Sequence, residues 1–345
     1  MNIYVFLDRP CQDNDKKWLV DALEDEMKTK ETKIIPIYTS FITSIVYREG
    51  GLVKFRCLYE YLKLSFKILR ESNKSDVVIC WTPLIASIFY KMANIFRTSR
   101  RIISMNWINP GTNSFLKKIE KNIASDPRAR VIVNTLDSIE LFSKKLDIKR
   151  DDAFCCIPDV YDERIPFKKN EKPHVGSYLF TGGINNRDWK LVAQLAREFP
   201  SHTFVCCALK DDFCSLVKEI PNNMRVYFNV QPSEYYQYLS DSYAVLLPLR
   251  SQMISGIINI IRSAQMGILC LTTSTPSTKQ YYCNEVKDLL LCSNPSEWVE
   301  RVKQVLALSE KDYIYNCNNF SSYIKNEFTP QKTVKKILNA IPPLN

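Results

Sequence analysis

The chain has 345 residues, with 47 lysines and arginines against 37 aspartates and glutamates, for a net charge of +10. That length suits two domains of about 150 residues each better than one core, and a 46% hydrophobic content excludes a disordered chain. Twelve cysteines, only two histidines (His174 and His202) and no CxxC pair argue against a zinc centre and for reduced, mostly buried thiols.

Residues 2–7 (NIYVFL) read as a first strand. No basic stretch precedes them and no small-residue cleavage site follows, so a secretory leader is not expected and the chain is placed in the cytoplasm. Further strands are predicted at 33–38, 76–81, 101–105, 130–134 and 153–157, alternating with helices at 15–28, 53–72, 84–96, 113–124 and 136–146. Continuous apolar runs such as Val77-Val78-Ile79-Cys80 and Val131-Ile132-Val133 fit a parallel sheet covered on both faces. Asp13 or Asn14 is expected to cap the first helix, and Asn113 or Ser114 the fourth. The apolar stretch 77–90 holds Pro83 and falls short of the roughly 20 residues that span a bilayer.

Residues 52–74 carry Lys54, Arg56, Lys63, Lys67, Arg70 and Lys74 against Glu60 and Glu71. Leu58, Tyr61, Leu62, Ser65, Phe66 and Leu69 follow helical spacing, which predicts a core-facing helix with a solvated basic face. The alternative is peripheral membrane contact through anionic lipid headgroups, at the inner face of the membrane. No nucleic-acid-binding motif accompanies the charge, so nucleic acid is not an expected partner.

From residue 158 the segment PDVYDERIPFKKNEKPHV breaks the alternation, and 161–175 read as a linker between a first domain, 1–160, and a second, 176–326. The second half restarts with strands at 177–181, 203–208, 225–228, 243–247, 268–272 and 288–292. Its helices are predicted at 187–198, 211–219, 232–240, 256–266, 295–308 and 309–326. Thr329-Pro330 opens a last helix, set apart as 327–345.

Three stretches of the second half could carry chemistry. Tyr178–Trp189 (YLFTGGINNRDW) is a strand that ends in Gly182-Gly183, with Arg187 at the start of a helix. Arg225–Pro232 (RVYFNVQP) is a strand end followed by Asn229, Val230 and Gln231. Tyr243–Thr273 is a strand, a polar loop with Ser251, Gln252 and Ser255-Gly256, a helix from Ile257 that includes Asn259, and a second strand. A helix N-terminus in such a βαβ unit turns free N–H groups and a positive dipole end toward an anion. Each stretch also has a purely structural reading: an exposed Arg187–Asp188 pair at a turn, a plain strand end, a glycine that merely begins a helix.

Taken in order, these stretches resemble the donor half of nucleotide-sugar glycosyltransferases of the two-Rossmann-domain (GT-B) type, glycosyltransferase family 4 among them. The resemblance implies an α/β fold of two doubly wound Rossmann-like domains, with a C-terminal helix crossing back to the first. It implies a nucleotide diphosphate sugar as donor substrate, bound by Gly182, Gly183, Arg187, Asn229, Val230, Ser251, Gln252, Ser255, Gly256, Ile257 and Asn259. It also implies a glycan or lipid-linked glycan acceptor, met on the first domain by Trp107, Asn109 and Gly111, and a role in bacterial surface polysaccharide biosynthesis. Asp8, at the end of the first strand, is the carboxylate placed to act as acceptor base in an inverting transferase, although it can equally be a cap or loop residue. No cofactor and no metal are expected, since the one D-x-D spacing noted, Asp13-Asn14-Asp15, reads as a helix-capping cluster. The chain departs from the two glutamates, eight residues apart, usual in retaining family-4 enzymes: Met253, Ile254 and Arg262 stand at those places. A nucleotide-sugar epimerase and a non-catalytic GT-B-like scaffold are the alternatives.

Overall fold

The computed structural model describes residues 1–11, 17–41, 52–108, 114–162, 178–183, 185–252 and 254–344. They form two units, Met1–Ile165 with Thr329–Asn345, and Pro166–Phe328. The predicted linker falls largely outside the described residues, as do Asp13, Asn14 and Asn113.

The first unit holds a six-stranded, all-parallel sheet: β1 (Asn2–Leu7), β2 (Lys33–Tyr38), β3 (Val77–Cys80), β4 (Arg101–Trp107), β5 (Ala129–Val133) and β6 (Phe154–Cys156), in the order β2-β1-β3-β4-β5-β6. Both faces are buried, and the alternation along β1 shows it. Tyr4 and Phe6 enter one core with Val78 and Cys80, while Ile3, Val5 and Leu7 enter another with Val77 and Ile79. Among the described residues, the helices of its N-terminal part are α1 (Lys17–Met27), α2 (Leu52–Glu71), α3 (Pro83–Ile95), α4 (Ser114–Ser125) and α5 (Leu136–Leu146). No described helix is long and apolar enough to cross a membrane.

The second unit repeats the plan with β7 (Tyr178–Gly182), β8 (Thr203–Ala208), β9 (Met224–Phe228), β10 (Ala244–Leu247), β11 (Leu269–Thr273) and β12 (Leu291–Cys292), in the order β12-β11-β10-β7-β8-β9. Its helices are α6 (Trp189–Glu198), α7 (Lys210–Leu216), α8 (Pro232–Ser240), α9 (Ile257–Met266), α10 (Pro276–Lys279), α11 (Asn284–Leu290), α12 (Pro295–Leu306) and α13 (Glu310–Glu327). A polar residue followed by proline recurs at helix starts. The caps Thr82, Thr275, Asn294 and Thr329 each accept a bond from the N–H three residues on, with proline next in chain.

Two readings need correction. Residues 288–290 are helical, because α11 precedes a two-residue β12; the apolar run Leu289-Leu290-Leu291 looks like strand but packs mostly as a helix end. The helix predicted from 187 begins at Trp189, where Asp188 caps it by accepting a bond from Leu191 N at 3.0 Å. The last helix, α14 (Pro330–Asn339), sends Val334 and Ile337 into the first unit's core beside Trp18, Leu19 and Leu23 of α1. All twelve cysteines are unpaired thiols.

Candidate donor site

In the second sheet β7 lies between β10 and β8, so the chain leaves its first strand toward one side and later returns to the other. The carboxyl ends of β7 and β10 flank this reversal, the place where open α/β sheets bind ligands. The described residues of two loops meet there, 183 and 185–188 after β7 and 248–252 and 254–256 after β10. Backbone bonds knit them together, from Asp188 N to Pro248 O at 2.9 Å and from Arg250 N to Asn186 O at 3.1 Å. Arg187 and Leu249 form an antiparallel bridge, and Ser251 Oγ donates to Asn186 Oδ1 at 3.0 Å.

That bridge turns Arg187 inward, so it is not an exposed residue of a first helical turn. It is 3% exposed. Its Nε donates to Gly182 O at 2.8 Å, and its Nη1 donates to Asn185 O at 3.0 Å and to Ser255 Oγ at 3.1 Å. Ser255 Oγ in turn donates to Asn185 O at 2.9 Å. The remaining nitrogen, Nη2, lies under two glycines. A Cβ at Gly183 (φ +132°) would stand 2.5 Å from it, and one at Gly256 (φ +80°) 3.5 Å from it. Gly183 combines left-handed backbone with close approach, whereas at Gly256 the contact is an ordinary one and the left-handed backbone alone calls for glycine. Arg187 forms no ion pair with a carboxylate among the described residues. Burial therefore pushes its pKa below the ordinary guanidinium value, with Tyr235 and Cys270 acting the other way. A buried cation held only by carbonyls and a hydroxyl carries a desolvation cost that an incoming anion relieves.

Asn259, buried on the first turn of α9, points its amide back into the same cluster. Its Nδ2 donates to Gly182 O at 3.0 Å and to the Tyr235 hydroxyl at 2.7 Å. Asn259→Ala leaves the Tyr235 hydroxyl without its donor and Gly182 O with Arg187 Nε alone; it should cost about 1–3 kcal/mol, read as a lower urea midpoint with an unchanged m-value. Tyr235 was not among the predicted residues. Its ring is the reason for glycine at 182, where a Cβ would lie 2.5 Å from Tyr235 Cε2 and hydroxyl. Tyr235 and the buried Leu239 sit one helical turn apart on α8, and that spacing was the available signal. Asp212 was missed as well. One of its oxygens accepts from Trp189 Nε1 at 2.9 Å and the other from Arg250 Nη2 at 3.1 Å, tying α6 to the loop after β10.

The other predicted residues are scattered by comparison. Ile257 starts α9 with a buried side chain, and Gln252 is exposed. Asn229 (φ +54°) and Val230 follow β9, with β8 between them and the Arg187 cluster, and no described hydrogen bond joins them to it. In the first unit Asp8 follows β1 at the point where that sheet's order also reverses. It is buried, with Oδ1 3.5 Å from Arg9 Nε and no hydrogen bond to that oxygen. Trp107 is not a loop residue. It closes β4 in the core, 1% exposed, its Nε1 donating to Ser104 Oγ at 2.6 Å and its ring edge-on to Phe142. Neither ring face is open to a sugar. Asn109 and Gly111 lie outside the described residues. A cavity of about 590 Å³ opens at the opposite, amino edge of the first sheet, near Arg100, Arg101 and Arg128. The guanidinium groups of Arg100 and Arg101 are spent largely on backbone carbonyls, including Ser72 O at 2.6 Å and Pro342 O at 3.2 Å.

No protein-family model matches the sequence, and no curated protein matches it. Solved structures match it along its whole length. Anabaena HepE in complex with UDP and glucose gives a TM-score of 0.67 at 12% identity over 98% of each chain. The same protein in complex with UDP-glucose gives 0.67 at 10% identity, over 99% of this chain and 100% of that one. The lipopolysaccharide outer core galactosyltransferase WaaB gives 0.59 at 13% identity over 99% of each. The chain has the GT-B fold. Within this GT-B chain the paired-glutamate place near the helix is taken by Arg262, buried on α9 and donating to Gln265 Oε1. Among the described residues no three His, Cys, Asp or Glu side chains gather as a metal site.

Proposed function

We propose that this protein transfers a sugar from a nucleoside diphosphate sugar to an acceptor hydroxyl. The observation that carries the reading is Arg187: a buried guanidinium with no described carboxylate partner, under two glycines, at the switch point of the second sheet and beside the N-terminus of α9. A diphosphate placed there meets a fixed cation and the free N–H groups of a helix start. As the glycosidic bond breaks, negative charge grows on the leaving diphosphate, and both groups stabilise it without rearranging. The full-length likeness to HepE, solved with UDP and with UDP-glucose, supports the same ligand class. The finer reading assigns a glycan or lipid-linked glycan acceptor and bacterial surface polysaccharide assembly, for which the likeness to WaaB is the support. Asp8 is the carboxylate this reading names as acceptor base.

Calorimetry with UDP, GDP and ADP, followed by turnover of the matching sugar nucleotides, tests the proposal. Binding of at least one diphosphate with release of that nucleotide from its sugar supports it; no binding of any overturns it. Binding without turnover on any lipid-linked or free glycan would favour a non-catalytic scaffold, a reading that the missing glutamate pair keeps in play. Because charge neutralisation is assigned to Arg187 and a helix dipole, turnover should persist undiminished in EDTA. A strict demand for magnesium or manganese would remove that assignment.

A further inference from the structure

The helix α2 has two apolar faces. Its inner face buries Cys57, Tyr61, Ser65, Ile68 and Leu69 against the first unit. The outer face was expected to be polar, yet Phe55, Leu58, Tyr59, Leu62 and Phe66 form a continuous exposed stripe at i, i+3, i+4, i+7 and i+11. Phe55 is 72% and Tyr59 69% exposed. The stripe continues onto the end of α3, where the Phe96 ring stands 5.6 Å from Phe66 and Ile95 is 73% exposed. The expected core positions Leu58, Leu62 and Phe66 thus belong to the outside; the residues one step away along the helix carry the packing.

On a helical projection Arg56, Lys63, Lys67 and Arg70 line one edge of this stripe, and all are exposed. Over Leu52–Glu71 there are five basic and two acidic residues. One acid, Glu60, is tied down by Ser40 N and Oγ at 2.7 Å each. An apolar stripe bordered by cations is what lies flat in a bilayer interface, rings among the acyl chains and ammonium groups at the phosphates. A second copy of the chain fits less well, since a two-fold contact would set the same row of cations against itself.

We infer that α2 and the end of α3 form a docking surface for an anionic phospholipid bilayer, with Phe55, Tyr59, Leu62, Phe66 and Phe96 entering the interface. The inference does not depend on the donor site. It is tested by sedimentation of the full chain with vesicles of phosphatidylcholine containing phosphatidylglycerol, and with phosphatidylcholine alone. The chain should bind the first far better than the second, less strongly as salt rises. Lys63→Gln with Lys67→Gln should lower the partition roughly fivefold per charge removed. Phe55→Ser with Phe66→Ser should release the chain although every charge remains. Phe55→Trp, which keeps the surface intact, should show a blue-shifted emission with anionic vesicles. UDP affinity should be unchanged in all of them. No binding to anionic vesicles, equal binding by the serine variant, or a dimer that the serine substitutions dissolve would each overturn the inference, the last assigning the patch to a second copy.

Discussion

Replacing Arg187 by alanine should weaken nucleoside diphosphate binding by about tenfold to a hundredfold, the loss expected when one charge-assisted contact of 1.5–3 kcal/mol disappears. The size follows from burial. A surface arginine would lose far less, because water screens it, whereas Arg187 is shut between Gly182, Gly183 and Ser255. Stability of the unliganded protein should change less than affinity, since two opposing terms meet. The substitution takes one of two donors from each of Gly182 O and Asn185 O, yet removes a desolvated charge. Arg187→Lys keeps the charge but lacks a planar fork that can hold a carbonyl, a hydroxyl and a phosphate together, so its affinity should lie between. Calorimetry with UDP measures the first effect, and the midpoint shift at saturating nucleotide measures it independently. An unchanged affinity would withdraw Arg187 from the site and with it the reading of the second unit.

Trp107→Ala should be among the most damaging single changes in the first unit, costing about 3–5 kcal/mol against a typical total of about 5–15 kcal/mol. The indole is buried beside Phe142 and its N–H is spent on Ser104. Deleting it opens a void and leaves a buried hydroxyl unpaired. Trp107→Phe keeps most of the packing and should cost only about 1 kcal/mol, the net worth of one hydrogen bond. Chemical denaturation of both variants decides the matter. A sugar-stacking tryptophan would instead tolerate alanine in folding and raise KM for the acceptor.

The sheets were legible because strands buried on both faces write themselves as apolar runs, as in Val77–Cys80 and Val131–Val133. Most helix starts were legible too, since a polar cap followed by proline is a local signal that needs no partner. What escaped depends on contacts distant in sequence. Arg187 is drawn out of a helical turn by bonds to a loop some sixty residues on, and nothing in its own neighbourhood announces that bridge. Tyr235 matters only because Gly182 leaves room for its ring. Trp107 reads as a turn residue beside Asn109 and Pro110, but its side chain sits in the core at the end of an irregular β4–β5 pairing. On α2 the sequence offered two apolar stripes where a core needs one, and spacing alone does not say which faces inward.

The return of α14 into the first unit has a consequence for how the molecule is made. Val334 and Ile337 close a core whose other walls, Trp18, Leu19 and Leu23, leave the ribosome some three hundred residues earlier. The second unit, Pro166–Phe328, is contiguous and can finish folding while that first core still lacks its last wall. During synthesis the earlier half therefore waits with an apolar patch open to passing chaperones, and it is sealed only when the final helix arrives.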